Sequence, residues 1–320
     1  MRIVIPDDSF DLFAGTPALE KLVGLGEVRH YRDNAPDRDA LLERLSNAEI
    51  ILTTRYQTDF KTTDLLEHIS GLKMIAVMGT RPRRINMKLA REKGITVSCT
   101  PGASSKSIAE HTIMMVLALA KRLPVIVPAM RVGGWPRADG IEIEGKTISL
   151  LGFGHIGTKV SQKAVGLGMR AIAWSRSMTP ERAAEHGAKA ASFDECMGAD
   201  FISLHLHVTS ETRGIVSRNA IAKMKPNAHL INTSRAALVD KCALIDALRK
   251  RRIAGIGIDV FEPEEPLPED DPYRFLDNVI LTPHSAWNTD GTVERFLTMP
   301  VENIEAFLKG IPQNVVTADV

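Results

Sequence analysis

Three polar groups in this chain stand where they could move a proton alongside a hydride. Arg235, in HLINTSRAALVD, follows an apolar run that ends near Asn232. His284, in VILTPHSAW, follows another, and Pro283 restricts the backbone before it. The acidic pair Glu264–Glu265 follows a third run, which ends at Asp259. A planar guanidinium can grip a carboxylate and an adjacent keto oxygen at two points. An imidazole can donate a proton near neutral pH, and a carboxylate against it stabilises the charged ring until the proton is needed. These are the groups that reduction of a 2-keto acid requires beside a hydride donor. Singly, each has a plainer reading. A loop arginine can be solvated, one histidine among nine can be structural, and the glutamates pass as loop charges.

A place for the hydride donor lies upstream. The run KTISLLGFGHIGTKV carries Gly152, Gly154 and Gly157 directly after a strand-like segment and at the opening of a helix-like one. In that context the first glycine permits a tight turn. The second lets backbone approach a pyrophosphate, and the third allows close helix–strand packing; the helix N-terminus then faces the phosphates. About twenty residues on, where an acid would bind the adenosine ribose hydroxyls, the next strand-like run MRAIAWSRS ends in Ser175 and Arg176. A cation in place of an acid welcomes a 2′-phosphate, so NADP(H) is favoured over NAD(H). The alternative is a solvated loop arginine.

The elements that must position these groups alternate almost throughout the 320 residues. Candidate strands are Arg2–Ile5, Glu49–Leu52, Lys73–Met78, Ile95–Ser98, Thr147–Leu151, Arg170–Trp174, Phe201–His205, His229–Asn232, Gly255–Asp259 and Val279–Leu281. Helix-like stretches lie between most of them, including Asp37–Ala48, Ser107–Arg122, His155–Leu167 and Asp240–Arg251; Thr292–Lys309 follows the last. Alternation of this kind predicts parallel sheets covered by helices. Two series are visible, roughly 1–100 and 146–282, which predicts a central nucleotide domain inserted into a domain built from both chain ends. The stretch Glu262–Pro272, acidic and proline-rich, reads by itself as a linker. A net charge of +1 gives no broad pull toward nucleic acid or membrane. Three scattered cysteines suggest neither a disulfide framework nor a metal knuckle. The longest apolar run, Ile113 to Ala120, is too short to span a bilayer, and no signal peptide is visible, so a cytoplasmic enzyme without metal is expected.

In order and spacing, LLGFGHIG, INTSRAALVD, GIGIDVFEPEEPLP and NVILTPH resemble the D-isomer-specific 2-hydroxyacid dehydrogenase family, and the resemblance covers nearly the whole chain. It implies an α/β chain in which a Rossmann-type doubly wound nucleotide domain, 102–285, is inserted into a flavodoxin-like substrate domain, 1–101 and 286–320. It implies a small 2-keto or 2-hydroxy acid as substrate and a homodimer paired through the nucleotide domains. Arg235 matches the family's substrate-anchoring arginine, His284 its acid/base, and Asp259 its aspartate near the nicotinamide carboxamide. Cofactor contacts are expected at Gly152, Gly154, His155, Ile156, Gly157, Ser175, Arg176, Thr212, Thr233 and Asp259. Substrate contacts are expected at Arg55, Gly79, Thr80, Arg81, Arg235 and His284. The family glutamate lies five residues after the aspartate and directly before a proline. Here the first rule selects Glu264 and the second Glu265; Glu264 is the expected partner of His284, because the strand end fixes the geometry and an inserted residue can loop out beyond it. Asn86 and Ala236 depart from the common aspartate and glycine, and Arg81, Arg83 and Arg84 suggest an anionic substrate tail. Glyoxylate, hydroxypyruvate and 3-phosphoglycerate-type compounds all fit. TPHSAW also resembles the dinucleotide-sensing corepressors that share the fold, which is the alternative reading. Formate dehydrogenases carry glutamine at the position of Glu264.

Overall fold

A computed structural model of the protein describes residues 1–54, 58–262 and 265–317. The chain forms two compact units, one made of Met1–Ala103 with Thr289–Val320 and the other of Ser104–Asn288.

The first unit holds strands β1 (Arg2–Ile5), β2 (Glu27–His30), β3 (Ile50–Thr53), β4 (Met74–Val77) and β5 (Thr96–Ser98), all parallel, in the order β2-β1-β3-β4-β5. That is the flavodoxin-like order. The central strands β3 and β4 are buried at every position, which is why their sequences IILT and MIAV run apolar without alternation. Strand β2, EVRH, was not legible as a strand: it lies at the sheet edge with Glu27 exposed and the other three residues part-buried, and carries charge accordingly. Helices start at side-chain caps. Thr16 caps Pro17–Val23, Asp37 caps Arg38–Leu45, and Thr289 caps Asp290–Leu308. Asn86, where the family commonly has aspartate, accepts from the Leu89 N–H at the start of Met87–Glu92 and so serves as a cap in the same way.

The second unit holds β6 (Thr147–Leu151), β7 (Arg170–Trp174), β8 (Ala188–Ala190), β9 (Phe201–Leu204), β10 (His229–Asn232), β11 (Gly255–Ile258) and β12 (Val279–Leu281). All pair in parallel in the order β12-β11-β10-β9-β6-β7-β8. Counted from β6, this is the Rossmann-type order with a seventh strand added, and the order reverses between β6 and β9, where such folds bind ligands. Helix His155–Gly166 follows β6, and Ser105–Ala120 packs on it and on β10 and β11. The three-residue edge strand β8, AKA, gave no apolar signal. Helix Leu123–Arg131 was also unforeseen. Arg122 breaks the preceding helix in a left-handed conformation, and the new helix starts beside Pro124 and contains Pro128, two residues that read as terminators. None of its residues is buried. Among the described residues no single helix is long and apolar enough to cross a membrane.

Candidate active site

β6 runs into a turn that demands glycine. Gly152 has φ +101°, and a Cβ there would lie 2.5 Å from the His205 carbonyl oxygen. A Cβ on Gly157 would lie 2.3 Å from the Gly152 carbonyl oxygen, so helix His155–Gly166 can begin this close to the turn only with glycine at that position. Gly154 is the helix N-cap. No side chain caps it, and a Cβ there would meet no atom within 4 Å. Uncapped N–H groups beside unfilled space suit a pyrophosphate. His155 is exposed in the first helical turn, and Ile156 packs against the core. At the end of β7, Ser175 Oγ is buried without a hydrogen-bond partner among the described residues, and Arg176 is exposed. Arg182, which sequence reasoning passed over, donates to the Phe153 carbonyl at 2.9 Å and to Ser177 Oγ at 3.0 Å. Thr212 is occupied within its own loop, donating to the His207 carbonyl at 2.5 Å, and buried Thr233 bonds Thr112 at 3.2 Å. The glycine cradle and the polar rim of β7 fit a dinucleotide.

The chain beyond the carboxyl ends of β10, β11 and β12 carries Arg235, Glu265 and His284 in turn. Asn232 closes β10 by donating to the Arg235 carbonyl at 2.9 Å and accepting from the Ser234 N–H at 3.1 Å, while Ser234 Oγ donates to the Leu206 carbonyl. This tight turn leaves Arg235 exposed, with Nη1 donating to the Ser234 carbonyl at 2.5 Å. His284 sits at φ +54°, a left-handed conformation that costs free energy unless its surroundings hold it. Buried Asp259 does so: it accepts from the N–H groups of Ser285 at 2.9 Å and Ala286 at 3.0 Å, and from the Thr282 hydroxyl. Since Thr282 spends its one proton on Asp259, it must accept from His111 Nε2, 3.0 Å away on helix Ser105–Ala120. Asp259 thus anchors the turn that carries the histidine. Burial pulls the His111 ring below its usual value, with Asp259 opposing.

Among the described residues, the carboxylate that meets His284 is that of Glu265. His284 Nδ1 lies 2.8 and 3.0 Å from its two oxygens, and each side chain is 41% exposed. Glu265 is the residue directly before Pro266, whereas counting from the strand end selected Glu264. Glu264 lies outside the described residues. Burial raises the Glu265 carboxyl, but the hydrogen bond with His284, the Phe261 N–H and the charges of His284 and Arg235 outweigh it, holding the group below the usual carboxylate range. With Nδ1–H committed to Glu265, Nε2 is the ring nitrogen left for chemistry. The two side chains line a cavity of about 420 Å³ with Phe261, Leu267 and Pro283.

In the first unit, Gly79, Thr80 and Arg81 follow β4. The Gly79 carbonyl accepts from the Thr100 N–H at 2.8 Å. Arg81, Arg83 and Arg84 line one small cavity with Gly79, and burial, with Arg83 nearby, pulls the Arg81 guanidinium below its usual value. Arg55 lies outside the described residues. The chain on either side of it is held by Asp7, which accepts from the Thr54 N–H at 3.1 Å and from Thr58 through N–H and hydroxyl at 2.9 and 2.6 Å. Burial raises the Asp7 carboxyl against those bonds.

This fold and these groups define an oxidoreductase of the dinucleotide-binding kind. A family model described as D-isomer specific 2-hydroxyacid dehydrogenase, NAD binding domain, matches residues 113–286. The chain is 37% identical to a glyoxylate reductase of Thermococcus litoralis over 92% of its own length and 91% of that protein's. It is 38% identical to a D-3-phosphoglycerate dehydrogenase of Methanocaldococcus jannaschii over 87% of its own length but 53% of that protein's. The solved D-lactate dehydrogenase with NAD+ from Lactobacillus jensenii superposes with a TM-score of 0.85 at 27% identity, over 100% of both chains. The chain belongs to the D-isomer specific 2-hydroxyacid dehydrogenase family. It is a nicotinamide-dependent oxidoreductase that transfers a hydride between its cofactor and a small 2-keto or 2-hydroxy acid, and nothing in these comparisons supports the corepressor alternative.

Proposed function

We propose that the chain reduces a small 2-keto acid of the glyoxylate or hydroxypyruvate kind with NADPH, using Arg235, Glu265 and His284. The observation that carries this reading is the His284–Glu265 pair beside the exposed Arg235. When bound, the nicotinamide supplies the hydride that arrives at C2. Arg235 holds the substrate carboxylate and polarises the keto oxygen. As the carbonyl π pair moves onto that oxygen, His284 Nε2 delivers its proton there. Glu265 keeps the ring upright and charged beforehand, and the neutral ring regains a proton from solvent after product leaves. The substrate class follows the Thermococcus glyoxylate reductase, which matches nearly end to end. The test is loss of NADPH absorbance with glyoxylate, hydroxypyruvate, phosphohydroxypyruvate and pyruvate. We expect the highest kcat/KM for one of the first two. A preference for phosphohydroxypyruvate would overturn the assignment and give Arg81, Arg83 and Arg84 a phosphate to bind.

The preference for NADPH rests on Ser175 and Arg176, where an acid would repel the 2′-phosphate. Calorimetric titration is expected to show tighter binding of NADPH than of NADH. Arg176→Asp should move the ratio toward NADH by about fivefold to tenfold, the scale of an exposed charge-assisted hydrogen bond. Equal or tighter NADH binding by the unaltered protein would sink this preference.

We further propose a homodimer. Leu123, Val127, Met130, Val132 and Trp135 are exposed apolar residues along and beyond helix Leu123–Arg131, and a second copy could cover them. Sedimentation should give twice the chain mass, and Val127→Glu with Trp135→Ser should give monomers; a monomeric unaltered protein removes the proposal. The three cysteines are free, in keeping with the cytoplasmic location we assign.

A further inference from the structure

The adenosine end of the cofactor cradle holds a second guanidinium. Arg182 lies on the short helix Pro180–Ala184, capped by Thr179, and its side chain reaches back to two segments at once. Nη2 donates to the Phe153 carbonyl, inside the Gly152–Gly154 turn, at 2.9 Å. Nη1 donates to Ser177 Oγ at 3.0 Å. Between these anchors lie the end of β7 and Ser175, whose buried hydroxyl has no partner among the described residues. This is the place where an acid would hold the ribose hydroxyls of an unphosphorylated cofactor.

We propose that Arg182 is a specificity-determining residue for the cofactor, binding the 2′-phosphate together with Arg176 and the Ser175 hydroxyl. The inference rests on the NADPH reading above and adds a residue to it. A guanidinium has five N–H donors, and the bonds of Arg182 to the Phe153 carbonyl, Ser177 Oγ and, at 3.5 Å, the Ser177 carbonyl leave others unspent. Those bonds also fix the group in advance, so less side-chain freedom is lost when an anion arrives than at a solvated arginine. The nearby carboxylates do not cancel this charge. Glu181 is engaged with its own backbone N–H and the Thr179 hydroxyl. Glu211, on the loop after β9, is held below the usual carboxylate range first by the Thr209 hydroxyl and in smaller part by Arg176, so it faces the other arginine. A brace between the glycine turn and the 175–177 turn would make the same two bonds. What separates a brace from a phosphate ligand is whether the loss on mutation depends on the 2′-phosphate.

The experiment is calorimetric titration of the unaltered protein, Arg182→Gln and Arg182→Lys with NADPH, NADH, adenosine 2′,5′-bisphosphate and 5′-AMP. For Arg182→Gln we expect NADPH and the bisphosphate to weaken about tenfold or more, as for loss of a charge-assisted hydrogen bond. NADH and 5′-AMP should stay within about twofold, below the worth of a single ordinary hydrogen bond. Arg182→Lys, which keeps the charge, should lose less in the same pattern, and it decides the matter if the glutamine variant does not fold. Equal weakening of all four ligands would make Arg182 a brace and overturn the proposal, and so would no change in any. The preference of the unaltered protein tests the underlying reading separately. Should it favour NADH while Arg182→Gln still weakens only the 2′-phosphorylated ligands, the NADPH assignment falls and the Arg182 assignment stands.

Discussion

Replacement of His284 by alanine is expected to lower keto-acid reduction by about 10²–10⁴-fold, the usual worth of general acid catalysis, with NADPH affinity unchanged because the glycine cradle is untouched. The mechanism gives this loss a pH signature. In reduction His284 must begin protonated, so the rate falls as pH rises through loss of that proton. Ionised Glu265, 2.8 Å away, stabilises the charged ring. Glu265→Gln keeps the shape and removes the charge, so the alkaline limb should move to lower pH. The acid side follows from the depressed Glu265 carboxyl: a group whose pKa is lowered in the folded protein stays ionised through the usual carboxylate range. The contribution of the ionised Glu265 carboxyl to stability is therefore present above the usual carboxylate value and lost as pH falls through the lowered one. Rate profiles of reduction by Glu265→Gln and Glu264→Gln separate the two carboxylates. If only the Glu264 change moves the limb, the pairing with Glu265 is not the one used in catalysis; if neither does, the acid–base dyad is wrong.

What the sequence made legible follows from how local each cause is. The glycine turn could be read because its requirements are steric and fall within six residues, Gly152 to Gly157. The inner strands could be read because burial on both faces leaves continuous apolar runs, as in TISLL and HLIN. The edge strands β2 and β8 escaped because solvent takes the place of a neighbour on one side and polar residues are tolerated there. Among site residues, the failures are those whose partners lie far along the chain. Nothing near Arg182 announces Phe153, 29 residues earlier, and His111 meets Thr282 across 171 residues. The contact of Glu265 with His284 was hidden for a related reason. Strand periodicity carries information up to Asp259, and which carboxylate beyond it meets the imidazole depends on loop conformation that alternation does not encode.

Arg235→Lys is expected to cost nearly as much as loss of the histidine in kcat/KM for keto-acid reduction, although the charge is kept. The reason lies in geometry. Arg235 stands just past the end of β10, with Nη1 donating to the Ser234 carbonyl, and a planar guanidinium is a group that can address two oxygens of a substrate in one plane. A lysine is shorter and presents one ammonium with no fixed plane, so it can hold the carboxylate or polarise the keto oxygen but not do both in register. Interactions made more strongly in the transition state appear in kcat, whereas uniform binding appears in KM. Polarisation of the keto oxygen grows as charge develops there, so the lysine variant should lose kcat as well as raise KM. The cradle at Gly152–Gly157 lies between the end of β6 and the first turn of helix His155–Gly166, separate from the turn that carries Arg235, and NADPH titration should be unchanged. Steady-state kinetics with glyoxylate, beside calorimetry with NADPH, make the measurement. A lysine variant working within about twofold of the unaltered protein, less than one ordinary hydrogen bond, would show that the anchoring cation is not Arg235.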